Sequence, residues 1–322
     1  MKRPLRDLIE GVPLASPLPT ELDALLIGGL AYDSRRVAPG DLFFAFPGAK
    51  ADGRAFAAAA VEKGAAGVVS ESPAPDGFAA PWIQVEHGRR ALALMARRFY
   101  GAPDESLALT AVTGTNGKTT VAMTVDDLLR RAGRRTGLIG TIGYHVLGEA
   151  REAVNTTPES LDVVRLLAEV RDGGGTHVTM EASSHALALG RFYGLAVTTA
   201  VFTNFSRDHL DFHGTMEEYF AAKRLLFLGA GGPPPKHAVI NADDEWAVKL
   251  APPGGTRVWT YGLSRAADFR ARRVETDFRG VRFDVEHAGG TTRVEARPSG
   301  RLNVANPPAA LRAAGTLGLA PG

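Results

Sequence analysis

One stretch of the chain restricts its fold more than any other: Val112-Thr113-Gly114-Thr115-Asn116-Gly117-Lys118-Thr119-Thr120. The apolar run Leu107 to Val112 in front of it reads as a buried strand, and Val121 to Arg131 behind it reads as a helix. Strand, glycine turn, Lys-Thr and helix, in that order, make a phosphate-binding loop. The glycines let backbone N–H groups turn inward around an anion, and the helix N-terminus adds partial positive charge. Lys118 can then reach the outer phosphates, and the Thr119 hydroxyl can bind Mg2+. The longer form of this loop has a glycine where Val112 stands, so only the compact Gly-Thr-Asn-Gly-Lys-Thr form is present. The plainer alternative is a tight glycine turn that happens to end in Lys-Thr.

The flanking sequence reads as α/β on both sides. Residues 1–103 form a small α/β unit on pattern and turn signals. Asp33-Ser34-Arg35-Arg36-Val37 leads into the turn Ala38-Pro39-Gly40-Asp41, and Leu42 to Phe46 is a short buried strand ended by Pro47-Gly48. Asp52 caps a helix over Phe56 to Lys63, and Gly67-Val68-Val69 begins another strand. Trp82 to Val85 is a strand and Arg89 to Tyr100 a helix, before Gly101-Ala102-Pro103 marks a boundary. Residues 104–322 then alternate strands with helices, which predicts a mainly parallel sheet with helices on both faces. Strands are expected at Gly137 to Gly140, Tyr144 to Leu147, His177 to Glu181, Val197 to Asn204, His237 to Asn241 and Arg257 to Tyr261. Helices are expected at Pro158 to Arg171, Met216 to Phe227 and Asn303 to Thr316, the last with Pro307-Pro308 in its first turn. Alternation between Ala267 and Arg297 around Gly289-Gly290 predicts a small antiparallel meander.

Composition excludes several classes. The 322 residues are 45% hydrophobic, enough for two domains with real cores. A net charge of +2 gives no reason to expect nucleic acid as a partner. The absence of cysteine rules out disulfides, thiolate catalysis and Cys-ligated zinc. No apolar run reaches the roughly 18 residues of a membrane span. Met1 to Glu10 is charged and has no apolar signal core. The expectation is a cytoplasmic enzyme with no membrane partner.

In open α/β sheets, ligands gather beyond the carboxyl ends of the strands. Four groups follow expected strand ends: the glycine loop, Glu181, the segment Asn204 to His213, and Asn241-Ala242-Asp243-Asp244. Glu181 could hold Mg2+ directly or through water, or it could cap the next helix. His209 could ligate a metal through its neutral imidazole, oriented by Asp208 or Asp211. A single histidine is also commonly structural, and Asp211 could simply close a turn. By periodicity alone Lys223 is a solvated helix lysine, and Asn155-Thr156-Thr157-Pro158 is an ordinary helix start. Ser183-Ser184-His185 sets a nucleophile beside a base, but sequence neighbours rarely make a working triad, and no elbow motif surrounds them.

Taken together, these stretches resemble the Mur ligases, and among them the members that add the third residue of the peptide. The matching pieces are Asp33-Ser34-Arg35 with Pro39-Gly40-Asp41-Leu42-Phe43, Thr113 to Thr120, and Asn155-Thr156-Thr157-Pro158. They continue through Met180 to Leu187, Thr203-Asn204, Arg207 to Gly214, Ala221-Ala222-Lys223, and the pair Asn303 and Asn306. The resemblance implies that Gly114, Thr115, Asn116, Gly117, Lys118, Thr119 and Thr120 bind ATP, with Asn303 and Asn306 near the adenine. It implies that Thr119, Glu181 and His209 hold Mg2+ together with Lys223, once CO2-derived carboxylation has turned that ammonium into an oxygen ligand. Asn155, Thr156, Thr157, Ser183 and Arg191 would grip the muramoyl dipeptide, and Ser34 with Ala49-Lys50-Ala51 would contact the UDP end. Lys118, Glu181, His209 and Lys223 would then serve a two-step reaction. In it, a diamino acid is added to the D-Glu γ-carboxylate of UDP-MurNAc-L-Ala-D-Glu through an acyl phosphate. A monomer is expected.

The chain departs from the family pattern at three kinds of place. Leu189 stands near the dipeptide where the family usually has Gln, and Ala49 replaces a frequent polar residue near the uridine. Pro307-Pro308 is unusual after Asn306. The sequence stops at Gly322, where the family's third, amino-acid-selecting domain would begin. The chain is therefore expected to be a fragment, a truncated product or half of a split enzyme that turns over poorly alone. Diaminopimelate, lysine and ornithine stay open as the added residue. The competing readings are a non-catalytic nucleotide-binding module and a neighbouring ligase, either one adding D-Ala-D-Ala or a folylpolyglutamate-type enzyme. The Asn-Thr-Thr-Pro and Asp-Ser-Arg stretches favour the ligase that adds the third residue over these neighbours.

Overall fold

The computed structural model describes residues 2–48, 52–263, 266–277, 280–296 and 306–319. The chain divides into two compact units: Met1–Ala102 with Glu159–Arg165, and Pro103–Pro158 with Leu166–Gly322.

In the first unit, β1 (Arg3–Pro4) leads into α1 (Leu5–Ile9) and pairs antiparallel with β2 (Leu26–Ile27). A four-stranded parallel sheet follows, in the order β3 (Gly29–Ala31), β4 (Asp41–Phe44), β5 (Gly67–Ser70), β6 (Trp82–Gln84). α2 (Ala57–Glu62) buries Ala57 and Ala60, three residues apart, on a cluster that includes Phe43, Ala45 and Val68. The small alanines let this helix lie close to the sheet. It is shorter than Phe56 to Lys63, because Asp52 caps a tighter 3-10 turn over Gly53–Phe56, accepting from Arg54 N at 3.0 Å. α3 (Gly88–Phe99) carries alternate apolar turns that bury Ala91, Leu92, Met95, Ala96 and Phe99.

From Pro103 onward the elements are α4 (Pro103–Ser106), β7 (Ala108–Thr113), α5 (Lys118–Arg131), β8 (Thr136–Gly140), β9 (Gly143–Val146) and β10 (Glu149–Arg151). α6 (Ser160–Asp172), β11 (His177–Glu181), α7 (Ser184–Ala188), β12 (Thr199–Phe202), α8 (Leu210–His213) and α9 (Met216–Arg224) come next. β13 (His237–Asn241), β14 (Arg257–Gly262), β15 (Phe269–Asp277), β16 (Gly280–His287), β17 (Gly290–Ala296) and α10 (Asn306–Thr316) complete the described chain. Their sheet runs β10-β9-β8-β11-β7-β12-β13-β14-β15-β16-β17. It is parallel from β8 to β15 and antiparallel at both ends, the β15-β16-β17 end being the expected meander. The fold class is the one the sequence implies: a small α/β unit followed by a mainly parallel sheet with an antiparallel extension.

The register at the centre of this sheet sets the level of the strand ends. Glu181 pairs with Val112, and Phe202 pairs with Thr113. The carboxyl ends of β11, β7 and β12 therefore stop side by side, and the loops that leave them must share one rim. Behind that rim, α5 buries Val121, Ala122, Val125 and Leu129 against Val112 and Leu138, with Ala309, Ala310 and Ala313 of α10 in the same cluster. Alanine along α10 lets two helix backbones approach closely. Several expected boundaries move. The strand Val197 to Asn204 is only Thr199–Phe202, and the helix Met216 to Phe227 ends at Arg224 before a series of turns. The final helix begins at Asn306, and Asn303 lies outside the described residues. No helix among the described residues is long and apolar enough to cross a membrane.

One charge in this core works against stability. Asp126 on α5 is buried, and its Oδ1 has no hydrogen-bond partner among the described residues. Burial pushes its carboxyl above the ordinary value, opposed by a Thr136 hydrogen bond and the Arg130 charge. A raised folded-state pKa favours folding fully below the unfolded carboxylate value, and that contribution is lost as pH rises through the folded one. Asp126→Asn is therefore expected to be more stable than the parent at pH 7.5. The gain should be on the order of 0.5–1 kcal/mol given the partial screening by Arg130, and should shrink toward zero below about pH 4. Urea titration of both proteins at the two pH values checks this.

Candidate functional site

The glycine loop leaves β7 through two positions that only glycine fills. Gly114 has φ +145°, and a Cβ there would lie 1.9 Å from Thr203 Oγ1. Gly117 has φ +86°, and a Cβ there would lie 2.6 Å from Asn306 Oδ1. Gly117 precedes α5 without a side-chain cap, so the first-turn N–H groups of that helix face the loop. The loop is held from its neighbour strand. Thr115 N donates to Asn204 O at 2.8 Å, Asn116 N donates to Asn204 Oδ1 at 3.0 Å, and Thr203 Oγ1 donates to Asn116 O at 2.6 Å. Asn241 Nδ2 in turn donates to Thr203 O at 2.8 Å. Asp243 and Asp244 accept from Leu263 N and Phe205 N. The Asn241 to Asp244 group is thus a brace for the loop, and its residues do not line the cavity described next.

A cavity of about 510 Å³ opens over the loop, lined by Thr115 to Thr119 and by residues from five further segments. Lys118 Nζ donates to Gly114 O at 3.0 Å and to Thr115 O at 2.9 Å. Lys223 Nζ donates to the same Gly114 O at 2.8 Å and lies 4.4 Å from the centre of the Tyr219 ring. Periodicity alone makes Lys223 a solvated residue, but it is 1% exposed, because α9 packs that face against the loop. Burial pushes the Lys118 amine below its ordinary value, against the Glu181 and Asp208 charges. Burial, then the Lys118 charge beside it, pushes Lys223 lower still.

Glu181, the last residue of β11, is 1% exposed. Its Oε2 accepts from Thr119 Oγ1 at 2.9 Å and from Thr141 Oγ1 at 3.3 Å, and its Oε1 accepts from Thr141 N at 2.7 Å. It does not cap the next helix: Ser183 does, its Oγ accepting from Ala186 N at 3.1 Å. His209 also lines the cavity and sits at φ +50°, a backbone state that non-glycine residues adopt only when their surroundings enforce it. Asp208 accepts from its backbone N at 2.9 Å and reaches its Nε2 at 3.5 Å, so Asp208 rather than Asp211 is the orienting acid. Among the described residues no three His, Asp or Glu side chains form a self-contained metal centre. The bonded Thr119 hydroxyl and Glu181 carboxylate are the donor set that suits Mg2+, which takes few protein ligands and fills the rest with phosphate and water.

A further part of the cavity wall carries Asn155, Thr156, Thr157, Ser183, Leu189 and Arg191. Thr157 Oγ1 donates to Glu181 O at 2.7 Å, and Arg191 Nη1 donates to Thr157 O at 2.6 Å. This wall is tied directly to the strand that ends in Glu181. Leu189 is the one hydrocarbon side chain among the lining residues. Gly114 and Thr120 do not line the cavity, and Asn306 reaches only the back of Gly117. Ser34 belongs to the first unit, where it lines another cavity of about 460 Å³ with Arg35, Phe46, Arg89 and Glu159. Ala49, Lys50, Ala51 and Asn303 lie outside the described residues.

Three lining residues carried no functional expectation: Thr141, Ser184 and His185. Thr141 directly follows β8, so the strand-end rule, applied to that strand as well, would have found it. Ser184 and His185 do not form a dyad with each other. Ser184 Oγ meets His213 Nε2 at 2.9 Å, and the His185 ring packs on Phe212 and edge-on to His209.

A parallel sheet with a glycine loop on its central strand, two lysines converging on that loop and a strand-end carboxylate defines a nucleotide-binding α/β protein. Residues 112–314 match the Mur ligase middle domain, and residues 26–100 match the Mur ligase family catalytic domain. The chain belongs to the Mur ligase family. It is 56% identical over 318 residues to the UDP-N-acetylmuramoyl-L-alanyl-D-glutamate--2,6-diaminopimelate ligase of Solibacter usitatus, covering 98% of this chain and 64% of that one. A solved structure of a UDP-N-acetylmuramoyl-L-alanyl-D-glutamate--2,6-diaminopimelate ligase superposes with a TM-score of 0.85 at 32% identity, covering 99% of this chain and 65% of that one. The MurF ligase of Thermotoga maritima in complex with ADP shares the fold, with a TM-score of 0.62 at 20% identity, covering 91% of this chain and 64% of that one. The chain spans about three fifths of the length of the curated relatives it matches.

Gly117→Ala tests the loop geometry. It forces a side chain into a positive-φ position against Asn306. We expect a loss of about 1–3 kcal/mol in urea unfolding, and a loss near zero would show that the loop and α10 are not packed as described.

Proposed function

We propose that this chain carries the nucleotide and acceptor sites of an ATP-dependent amide ligase acting on UDP-MurNAc-L-Ala-D-Glu. The observation that carries the reading is the convergence, on one cavity, of Lys118, Thr119, Glu181, His209 and Lys223 with Asn155, Thr156, Thr157, Ser183 and Arg191. The first set suits a triphosphate, and the second offers amides, hydroxyls and a guanidinium to a peptide carboxylate. The relatives' names supply the substrate and point to 2,6-diaminopimelate as the incoming amino acid.

In the proposed reaction the glycine-loop amides and the N-terminus of α5 hold the phosphates of ATP. Lys118 leaves the Gly114 and Thr115 carbonyls and turns to the outer phosphates, where its charge offsets charge developing on the transferring group. Arg191 and the Asn155 to Thr157 segment hold the acceptor so that its side-chain carboxylate faces the γ-phosphorus. Attack forms an acyl phosphate and releases ADP. The amine of the diamino acid then attacks the acyl carbon, the amide forms, and phosphate leaves. Mg2+, held by Thr119, Glu181 and His209, would supply charge neutralisation at the phosphates. The proposed use of ATP is in keeping with a reaction in the cytoplasm.

Lys223 fits the same scheme. Burial, by lowering the pKa of this amine, makes its proton easier to lose, and the nitrogen so freed can add CO2 to give a carbamate. The carbamate would relieve the repulsion between Lys223 and Lys118 and add an oxygen ligand for the metal. Native mass spectrometry in bicarbonate is expected to show the gain of one CO2, absent in Lys223→Ala.

The test of the function as a whole is calorimetric titration of this chain with UDP-MurNAc-L-Ala-D-Glu. Saturable binding is expected, weakened on the order of 10-fold or more in Arg191→Met. No binding at millimolar ligand would leave a non-catalytic nucleotide-binding module as the better account.

A further inference from the structure

α9 grips the glycine loop at two adjacent residues. Lys223 bonds to the Gly114 carbonyl, and Tyr219, one helical turn earlier, meets the Thr115 hydroxyl at 3.2 Å. Tyr219 is fully buried, so its hydroxyl has no access to bulk water and depends on a protein partner. The Thr115 hydroxyl sits at a junction. It accepts from Ser206 N at 3.0 Å and lies 3.2 Å from Ser206 O, to which it donates. With its single proton committed to Ser206, Thr115 Oγ1 accepts from the Tyr219 hydroxyl. The ring of Tyr219 also packs against Phe205 at 4.9 Å, His213 at 5.1 Å and His209 at 5.8 Å, and one face carries the Lys223 ammonium. One side chain thus touches the glycine loop, the segment after β12 and α8.

The two grips differ in permanence. Carboxylation of Lys223, as proposed above, leaves one N–H where the ammonium had three. It also turns a cation over an aromatic face into an anion, which that face repels. The Lys223 grip on Gly114 is then weakened in the loaded state, whereas nothing in that chemistry touches the Tyr219 hydroxyl. We infer that Tyr219 is a positioning residue for nucleotide binding: its hydroxyl, through Thr115, keeps the glycine loop in its anion-cradling shape when Lys223 has turned to other work. This rests on the nucleotide-binding reading of the loop, and it adds a residue that touches neither phosphate nor metal.

The test is ADP titration by calorimetry, with thermal unfolding run alongside. Tyr219→Phe keeps the ring, its packing and the face under Lys223, and removes only the hydroxyl. It is expected to weaken ADP by about 3- to 10-fold, the usual worth of one hydrogen bond, while the unfolding midpoint stays near the parent's. Thr115→Val is expected to weaken ADP at least as much, and Thr115→Ser to restore parental affinity. The double variant Tyr219→Phe/Thr115→Val is expected to bind as Thr115→Val does, because the second change removes a bond already lost. Parental ADP affinity in Tyr219→Phe, or a double variant whose loss is the product of the two single losses, overturns the inference. Failure of the parent itself to bind ADP overturns the nucleotide reading and this inference with it. Should Tyr219→Phe fail to fold, the contrast between Thr115→Val and Thr115→Ser decides: equal affinities overturn the inference.

Discussion

Two lysine amines, that of buried Lys223 and that of half-buried Lys118, share one carbonyl oxygen, and the rest of the site is arranged around that conflict. Lys118 and Lys223 both donate to Gly114 O, and both are held below their ordinary pKa by burial. Like charges this close, partly shielded from water, are unfavourable unless an anion or a chemical change compensates them. The carboxylates that act on the pair, Glu181 and Asp208, have other commitments: Glu181 accepts from Thr119 and Thr141, and Asp208 from His209 N. A polyphosphate at the helix N-terminus and the CO2 proposed for Lys223 are two additions that would relieve the conflict.

The sheet makes this arrangement possible. Parallel strands need crossover helices, which set their carboxyl ends on one edge. The register of β11, β7 and β12 places Glu181, the glycine loop and Thr203-Asn204 at one level without any loop having to reach for another. The loop is then fastened by backbone and amide bonds from Asn204 and by the packing of α10 behind Gly117. Burial of α5 on a sheet and on the alanines of α10 keeps its N-terminus fixed where the phosphates would lie.

Much of this was legible in the sequence, for identifiable reasons. The glycine loop, the strand before it and the helix after it gave themselves away by residue type and spacing. Glu181 showed as a carboxylate at a strand end. Lys223 did not: helical periodicity placed it toward solvent, and only the packing of α9 on the loop buries it. Tyr219 carried no expectation, because its hydroxyl contact with Thr115 spans two distant segments that no local pattern joins. Asn241 to Asp244 looked like a ligand group because it follows a strand. It turns inward to brace Thr203 and Phe205 instead. Short elements such as α7, α8 and β10, three to five residues long, have too few residues to show a period.

The measurement that bears most directly on this account is a crystal structure of the chain grown with a non-hydrolysable ATP analogue, Mg2+ and bicarbonate. The account requires the phosphates against Gly117 and the first turn of α5, with Lys118 moved off Gly114 O and a carbamate on Lys223 facing the metal. An analogue bound away from the glycine loop, or bound there with both lysines still on the Gly114 carbonyl, would contradict it.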